Sequence, residues 1–285
     1  MFENIIGNEQ IKELLKSSIE NKKTSHSYLF VGIQGIGKKI LATEFAKKIL
    51  CLEPMQEIEN HPDFICVELD GNNIKIEQIR NLQKRIQEKP IISNKKIYII
   101  DNAETMTTEA QNCLLKTLEE PPEFATIILI GSNENAFLPT IKSRCMILHF
   151  QPIENEKIKR FLEENFNITN LNENQLDLFQ GSIGRAVSLK DKQQEYQSID
   201  NIIENLSKKD LIEITHLAEP LYKAKDEIFE ILEYMNLLLI NKAKENYLYT
   251  NCIEIVENTK KRLKQNANYD MCIDNMLFNM WEELV

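Results

Sequence analysis

A glycine-rich loop between an apolar run and a helical segment is the feature that most constrains the fold of this 285-residue chain. The loop extends from position 32 to position 39 and follows the apolar segment 27–31. Its glycines are Gly32, Gly35 and Gly37. Backbone N–H groups in such a loop can surround phosphate oxygens, and Lys38 occupies the position of the lysine that contacts the β- and γ-phosphates. The spacing therefore predicts a P-loop fold.

Short apolar runs alternate with helical stretches over the first 150 residues. The runs are 27–31, 64–68, 97–100, 126–130 and 146–150. They are rich in β-branched residues and show no polar alternation, which is typical of strands buried on both faces of a parallel sheet. We therefore expect an α/β domain in which helices cover a parallel sheet.

The last hundred residues have a different pattern. No glycine follows Gly184, and Pro220 is the only proline after Pro152. Apolar residues recur at helical spacing, as in Ile228, Ile231, Leu232 and Met235, so this part is predicted to be all helix. We expect a first domain over 1–151, a small helical domain over 152–195 and a second helical domain over 196–285.

Charge and composition narrow the possible functions. The net charge is −10, which argues against a chain that binds nucleic-acid phosphates by itself. No apolar stretch is long enough to span a membrane, and residues 1–4 do not begin a secretory signal, so we expect a cytoplasmic protein. The six cysteines form no CxxC pair, and no metal site is predicted.

Two positions of the expected nucleotide site carry the wrong chemistry. Lys39 stands where a P-loop has the serine or threonine that binds Mg²⁺. Asp101 ends the run 97–100 as a Walker B aspartate would, but Asn102 replaces the glutamate that activates water. Glu104 is expected to be a solvent-exposed or helix-capping residue. The sequence therefore predicts a degenerate Walker A site, with weak or absent ATP and Mg²⁺ binding.

A series of short motifs extends along residues 4–190, on both sides of this loop. They are Ile5–Glu9, His26–Phe30, His61–Asp63, Ile74–Arg80, Leu114–Pro122, Ser143–Cys145 and Gly181–Ala186. With these motifs the chain resembles the bacterial DNA polymerase III clamp-loader subunits, delta-prime and gamma/tau. The resemblance implies an AAA+ domain, a helical lid (152–195) and a helical collar (196–285) for assembly with gamma/tau and delta subunits. It also implies an indirect relation to the sliding clamp and primer-template DNA.

The resemblance assigns roles to two further positions. In the similar subunits, the arginine of the triplet Ser143, Arg144 and Cys145 reaches the γ-phosphate held by the adjacent subunit, as an arginine finger supplied in trans. The plainer alternative is an arginine that caps a helix or pairs with a local carboxylate. Ser132 follows the run 126–130, where a polar residue that senses the γ-phosphate would lie, although it could simply begin a turn.

Departures from the family pattern favour the delta-prime type. Only Cys51 and His61 lie where many relatives carry a four-cysteine zinc module, so no zinc is expected. Gly184 occupies the position of the sensor arginine of gamma-type subunits, and Arg185 comes one residue later. We expect a non-catalytic subunit of the DNA polymerase III holoenzyme. The alternatives are an active gamma/tau-like ATPase and an adaptor that does not enter a ring.

Overall fold

The computed structural model describes residues 2, 4–53, 55–71, 73–169, 171–190, 193–208, 213–214 and 218–285. The chain forms two compact units. Unit 1 comprises Met1–Lys157 and Gly181–Arg185, and unit 2 comprises Ile158–Gln180 and Ala186–Val285. The predicted division of the helical part into a lid and a collar stays a prediction, and its boundary near residue 195 adjoins residues 191–192, which lie outside the described part.

Unit 1 is built on a five-stranded parallel sheet. The strands are β1 (Ser27–Val31), β2 (Phe64–Val67), β3 (Lys96–Ile100), β4 (Ala125–Gly131) and β5 (Met146–His149). Their order across the sheet is β2-β3-β4-β1-β5. All strands point the same way, so their carboxyl ends meet along one edge, where parallel α/β sheets bind ligands.

Helices connect the strands of unit 1. They are α1 (Glu9–Glu20), α2 (Lys38–Ile49), α3 (Ile76–Ile86), α4 (Thr108–Glu119) and α5 (Pro139–Lys142). Helix α4 shows how local sequence sets the bounds of a helix. The Thr107 hydroxyl accepts a hydrogen bond from the N–H of Ala110 at its start, and α4 ends at Glu119, just before Pro121 and Pro122.

The core of unit 1 explains why its strands are continuous apolar runs. Every residue of β1, β3 and β4 is buried. Side chains from these strands pack against the apolar sides of α3 and α4, including Ile79, Leu82, Leu114 and Leu118. This packing fixes the carboxyl ends of β1, β3 and β4, and with them the loops that follow.

The remaining helices lie largely in unit 2. They are α6 (Asn155–Phe166), α7 (Glu173–Leu178), α8 (Ile183–Leu189), α9 (Gln193–Asn205), α10 (Glu219–Lys223), α11 (Ile228–Ala243), α12 (Leu248–Lys264) and α13 (Tyr269–Leu284). Helix α11 packs against α7, α9 and α12, and α12 packs against α13. No helix within the described ranges is long and apolar enough to cross a bilayer.

Candidate functional site

The glycine-rich loop connects β1 to α2 at the carboxyl edge of the sheet. Gly35 and Gly37 have φ angles of +76° and +97°, a left-handed conformation that favours glycine. Gly37 is followed directly by α2, which begins at Lys38. The loop therefore has the strand-to-helix context that the sequence predicted.

Lys38 is buried and directed back into its own loop. Its Nζ donates hydrogen bonds to the backbone carbonyls of Gly32 and Ile33, the latter at 2.8 Å. Burial lowers the pKa of Lys38, while the nearby charges of Glu104 and Asp101 act in the opposite direction. The ammonium group thus has carbonyl acceptors within the loop.

Lys39 joins the ends of two neighbouring strands. Its Nζ lies 2.5 Å from Oε1 of Glu68, which follows β2, and 3.1 Å from Oδ2 of Asp101, which follows β3. Burial disfavours the charge on Lys39, but the hydrogen bonds with Glu68 and Asp101 outweigh burial and raise the pKa of Lys39. A positively charged side chain therefore lies against the carboxylate of Asp101.

Asn102 completes the surroundings of Asp101. Its backbone N–H donates to Oδ1 of Asp101 at 3.0 Å, so both carboxylate oxygens of Asp101 have partners. Asn102 has a φ of 51°, and the chain then enters a short 3₁₀ turn, Ala103–Thr105. An amide cannot take a proton from water, so Asn102 offers no general base here.

Glu104 corrects one expectation from the sequence. It is half-buried, and its Oε1 accepts hydrogen bonds from the backbone N–H of Ser132 at 3.0 Å and from the Ser132 hydroxyl. Oε2 of Glu104 is buried without a hydrogen-bond partner among the described residues. The expectation of an exposed or helix-capping glutamate was wrong, because the 3₁₀ turn directs this side chain to the end of β4.

The segment Gly181–Arg185 packs on the glycine-rich loop. The Ser182 hydroxyl donates to the carbonyl of Gln34 at 2.8 Å, and the N–H of Gly184 donates to the carbonyl of Gly35 at the same distance. A Cβ atom on Gly184 would lie 2.7 Å from Cα of Gly35, closer than packed atoms approach. Gly184 therefore allows a direct contact between two backbones.

Arg144 lies in the segment between α5 and β5. Its Nη1 donates to the carbonyl of Thr140 at 2.9 Å and to the Ser143 hydroxyl at 3.2 Å, and its Nη2 pairs with Oε1 of Glu119. The side chain is 31% exposed. These contacts fit the alternative in which Arg144 pairs with a local carboxylate. Its role as an arginine finger for an adjacent subunit stays a prediction.

Cys145 fixes the position of this segment. It packs against the apolar core of unit 1, and burial raises the pKa of its thiol to about 12. A thiol with this pKa is neutral at physiological pH and is a poor nucleophile. Cys145 is therefore a packing residue that holds the backbone beside Arg144.

No group of three or more histidine, cysteine, aspartate or glutamate side chains in the described ranges is arranged to hold a metal ion. All six cysteines are free thiols.

Comparison with known proteins identifies the family. Residues 7–154 match the family described as DNA polymerase III, delta subunit, and this match covers more than half of the chain. The chain belongs to this family. The resemblance to clamp-loader subunits of the delta-prime and gamma/tau type, first seen in the sequence motifs, is confirmed.

Two relatives of this DNA polymerase III family member illustrate the match. The DNA polymerase III subunit delta' of Bacillus subtilis is 40% identical over 168 residues, which are 54% of this chain and 51% of the relative. The subunit tau/gamma of Haemophilus influenzae is 30% identical over 226 residues, 72% of this chain and 33% of the relative. The matched part of the chain thus spans about half of one relative and a third of the other.

A solved structure shares the fold. It is a DNA polymerase III gamma subunit-related protein from Thermotoga maritima, with a TM-score of 0.56 and 17% sequence identity. The match covers 95% of this chain and 99% of that one. The predicted fold class, a P-loop AAA+ sheet followed by helical regions, is confirmed.

Sequence reasoning missed three carboxylates of this site. Glu68 was predicted to be the last residue of a strand, and Glu119 was noted only as part of the motif Leu114–Pro122. Glu104 was expected to be solvent-exposed or to cap a helix. Each contacts a residue that the sequence had singled out: Lys39, Arg144 and Ser132 respectively. A glutamate directly after a short apolar run was the available signal for Glu68.

Proposed function

We propose that this chain is a delta-prime-type subunit of the DNA polymerase III clamp loader, which helps to place the sliding clamp on primed DNA. In this role its own ATP site is degenerate, and Arg144 completes the ATP site of a neighbouring gamma/tau subunit. Its direct partners are gamma/tau and delta subunits. The observation that carries the proposal is the position of Lys39 between Glu68 and Asp101.

The surroundings of Lys39 support a site that does not bind Mg²⁺ and ATP productively. Mg²⁺ needs oxygen ligands, and the carboxylate of Asp101 would supply one of them in a Walker B motif. Here that carboxylate is paired with the ammonium group of Lys39. A Mg²⁺ ion could bind Asp101 only by displacing Lys39, which would break the ion pairs of Lys39 with Glu68 and Asp101. Packing of Ser182 and Gly184 on the loop further restricts access to its apex.

The position of Arg144 supports its action on a neighbour. Its guanidinium is partly exposed, while the backbone beside it is anchored by Cys145 and by the short helix α5. An arginine supplied in trans stabilises the charge that develops during phosphoryl transfer and accelerates hydrolysis by roughly 10³- to 10⁵-fold in well-studied systems. A rigid base with an exposed guanidinium suits that task.

Substitution of Arg144 tests this function. In a complex reconstituted with gamma/tau and delta subunits, Arg144→Ala should remove most ATP hydrolysis at the one site that Arg144 completes. Arg144→Lys should rescue little, because an ammonium group lacks the planar fork of guanidinium. Arg80→Ala, an exposed arginine on α3, is the matched control. An unchanged single-turnover ATPase rate with Arg144→Ala would reject the proposal.

The main alternative, an active gamma/tau-like ATPase, predicts nucleotide binding by the isolated chain. Thr43 lies a full turn beyond Lys39 on α2 and does not replace the missing hydroxyl. Equilibrium dialysis with labelled ATP should show weak or no Mg²⁺-dependent binding to the wild type and stronger binding to Lys39→Thr. Tight binding by the wild type would favour the ATPase. The adaptor alternative is favoured if Arg144→Ala has no effect on the assembled complex.

A further inference from the structure

Glu119 holds the guanidinium of Arg144 in a position within its own subunit. The contact joins Nη2 of Arg144 to Oε1 of Glu119, the last residue of α4. The two remaining acceptors, the Thr140 carbonyl and the Ser143 hydroxyl, both bind Nη1. Glu119 is therefore the only charged acceptor of Arg144 among the described contacts.

The two partners are fixed by separate elements of unit 1. Leu114 and Leu118 bury α4 in the core, and the prolines at 121 and 122 end this helix directly after the Glu119 region. On the other side, α5 and Cys145 anchor the backbone of Arg144. The pair is thus set by the packing of the fold, and only the two side chains need to move for it to separate.

An incoming phosphate would compete with Glu119. A guanidinium presents five N–H donors, and the edge that binds the Glu119 carboxylate also suits a phosphate. Two anions on the same edge would repel each other, so a phosphate must displace the carboxylate. The side chains of Arg144 and Glu119 are 31% and 47% exposed, and solvent weakens such pairs enough for exchange.

We propose that Glu119 is a positioning residue that keeps Arg144 in a resting position and slows hydrolysis until the γ-phosphate of the neighbouring subunit displaces it. This inference rests on the proposed role of Arg144 in trans. Glu119 itself touches neither ATP nor the reacting atoms. Its effect passes through Arg144, and its charge sets how often the guanidinium is free to reach the neighbour.

The expected effect follows from the strength of an exposed ion pair. Such pairs shift a two-state equilibrium by about two- to fivefold. Glu119→Gln keeps the shape of the side chain and removes its charge, so it should raise the basal ATPase kcat of the reconstituted complex by about two- to fivefold. The KM for ATP should change less than kcat, because an arginine finger stabilises the transition state more than it stabilises bound ATP.

The experiment measures ATP hydrolysis by the complex with gamma/tau and delta, before clamp and DNA are added. The variants are Glu119→Gln, Glu119→Asp and Glu120→Gln, each in the wild-type and in the Arg144→Ala background. Glu119→Asp, which restores the charge, should return the rate toward the wild-type value. Glu120→Gln removes the same charge from the exposed next residue, which is not an acceptor of Arg144, and should leave the rate unchanged.

The double variant separates the two possible failures. If Arg144→Ala lowers the rate, and Glu119→Gln raises the rate in the wild-type background but not in the Arg144→Ala background, Glu119 acts through Arg144 as proposed. If Arg144→Ala lowers the rate but Glu119→Gln alone does not raise it, the resting position is rejected and the arginine finger is retained. If Arg144→Ala leaves the rate unchanged, the proposed function itself fails.

Discussion

Asp63 is a fully buried carboxylate that organises the connection between α3 and β3. Its Oδ1 accepts a hydrogen bond from the N–H of Ile91 at 2.6 Å, and its Oδ2 accepts from Ile92 and Ser93, each at 2.8 Å. Burial raises the pKa of Asp63, but these three hydrogen bonds outweigh it, so the pKa lies below its ordinary value. The charged form therefore stabilises the folded state.

Asp63→Asn should lower the free energy of unfolding by about 2–3 kcal/mol at pH 7, because an amide cannot accept all three hydrogen bonds. A lowered carboxylate pKa gives stability that is present above the unfolded pKa, about 4, and is lost as pH falls toward the folded pKa. The difference between variant and wild type should therefore shrink below about pH 4. Urea unfolding of both proteins at several pH values measures this difference in free energy.

The control for Asp63 is Asp70→Asn, which removes an exposed aspartate paired with Lys75. Exposed ion pairs contribute little to stability, so Asp70→Asn should lower the free energy of unfolding by no more than about 1 kcal/mol. Equal effects of the two substitutions would show that the buried hydrogen bonds of Asp63 do not contribute as argued.

At the scale of helices, unit 2 joins α7, α9 and α11 through one polar contact. The Tyr234 hydroxyl on α11 lies 2.7 Å from Oδ1 of Asp200 on α9. The side-chain amide of Asn172, the N-cap of α7, donates to both at 3.3 Å. Burial raises the pKa of Asp200, and the hydrogen bonds from Tyr234 and Asn172 oppose that rise.

Tyr234→Phe should lower the unfolding free energy of the protein by about 1–2 kcal/mol at neutral pH and raise the pKa of Asp200 further. The difference in unfolding free energy between Tyr234→Phe and the wild type should diminish as pH falls. Once Asp200 is protonated, it gains less from the hydrogen bond that the Tyr234 hydroxyl donates. Tyr247→Phe, at a residue that is 78% exposed, is the matched control. If both variants unfold at the same urea concentration, the contact among these helices contributes no stability.

At the scale of the whole molecule, the elements were predicted well from the sequence. Strand β1 has the predicted bounds. Strands β2, β3 and β5 differ from the prediction by one residue at one end, and β4 is one residue longer at each end. Strands buried on both faces are continuous apolar runs, which makes them easy to recognise between helical segments. The amphipathic pattern at 228–239 lies within α11, as expected.

The arrangement of the site could not be predicted in the same way. Lys39 and Asn102 looked like two separate defects, but the structure pairs Lys39 with Asp101, the residue directly before Asn102, and with Glu68. That pairing depends on β2 and β3 being neighbours in the sheet, which no local pattern of residues specifies. The exposed setting expected for Glu104 was wrong because local polarity does not show the direction of a 3₁₀ turn.

The contact of Gly181–Arg185 with the glycine-rich loop has a consequence for biosynthesis. The last strand of unit 1 ends at His149, but the residues that cover the loop are not made until Arg185. At roughly 5–20 residues per second, the ribosome needs about 2–7 s to translate the intervening segment. For the same interval after β5 leaves the ribosome, the residues that cover the loop have not yet emerged, so the loop of the nascent chain is uncovered.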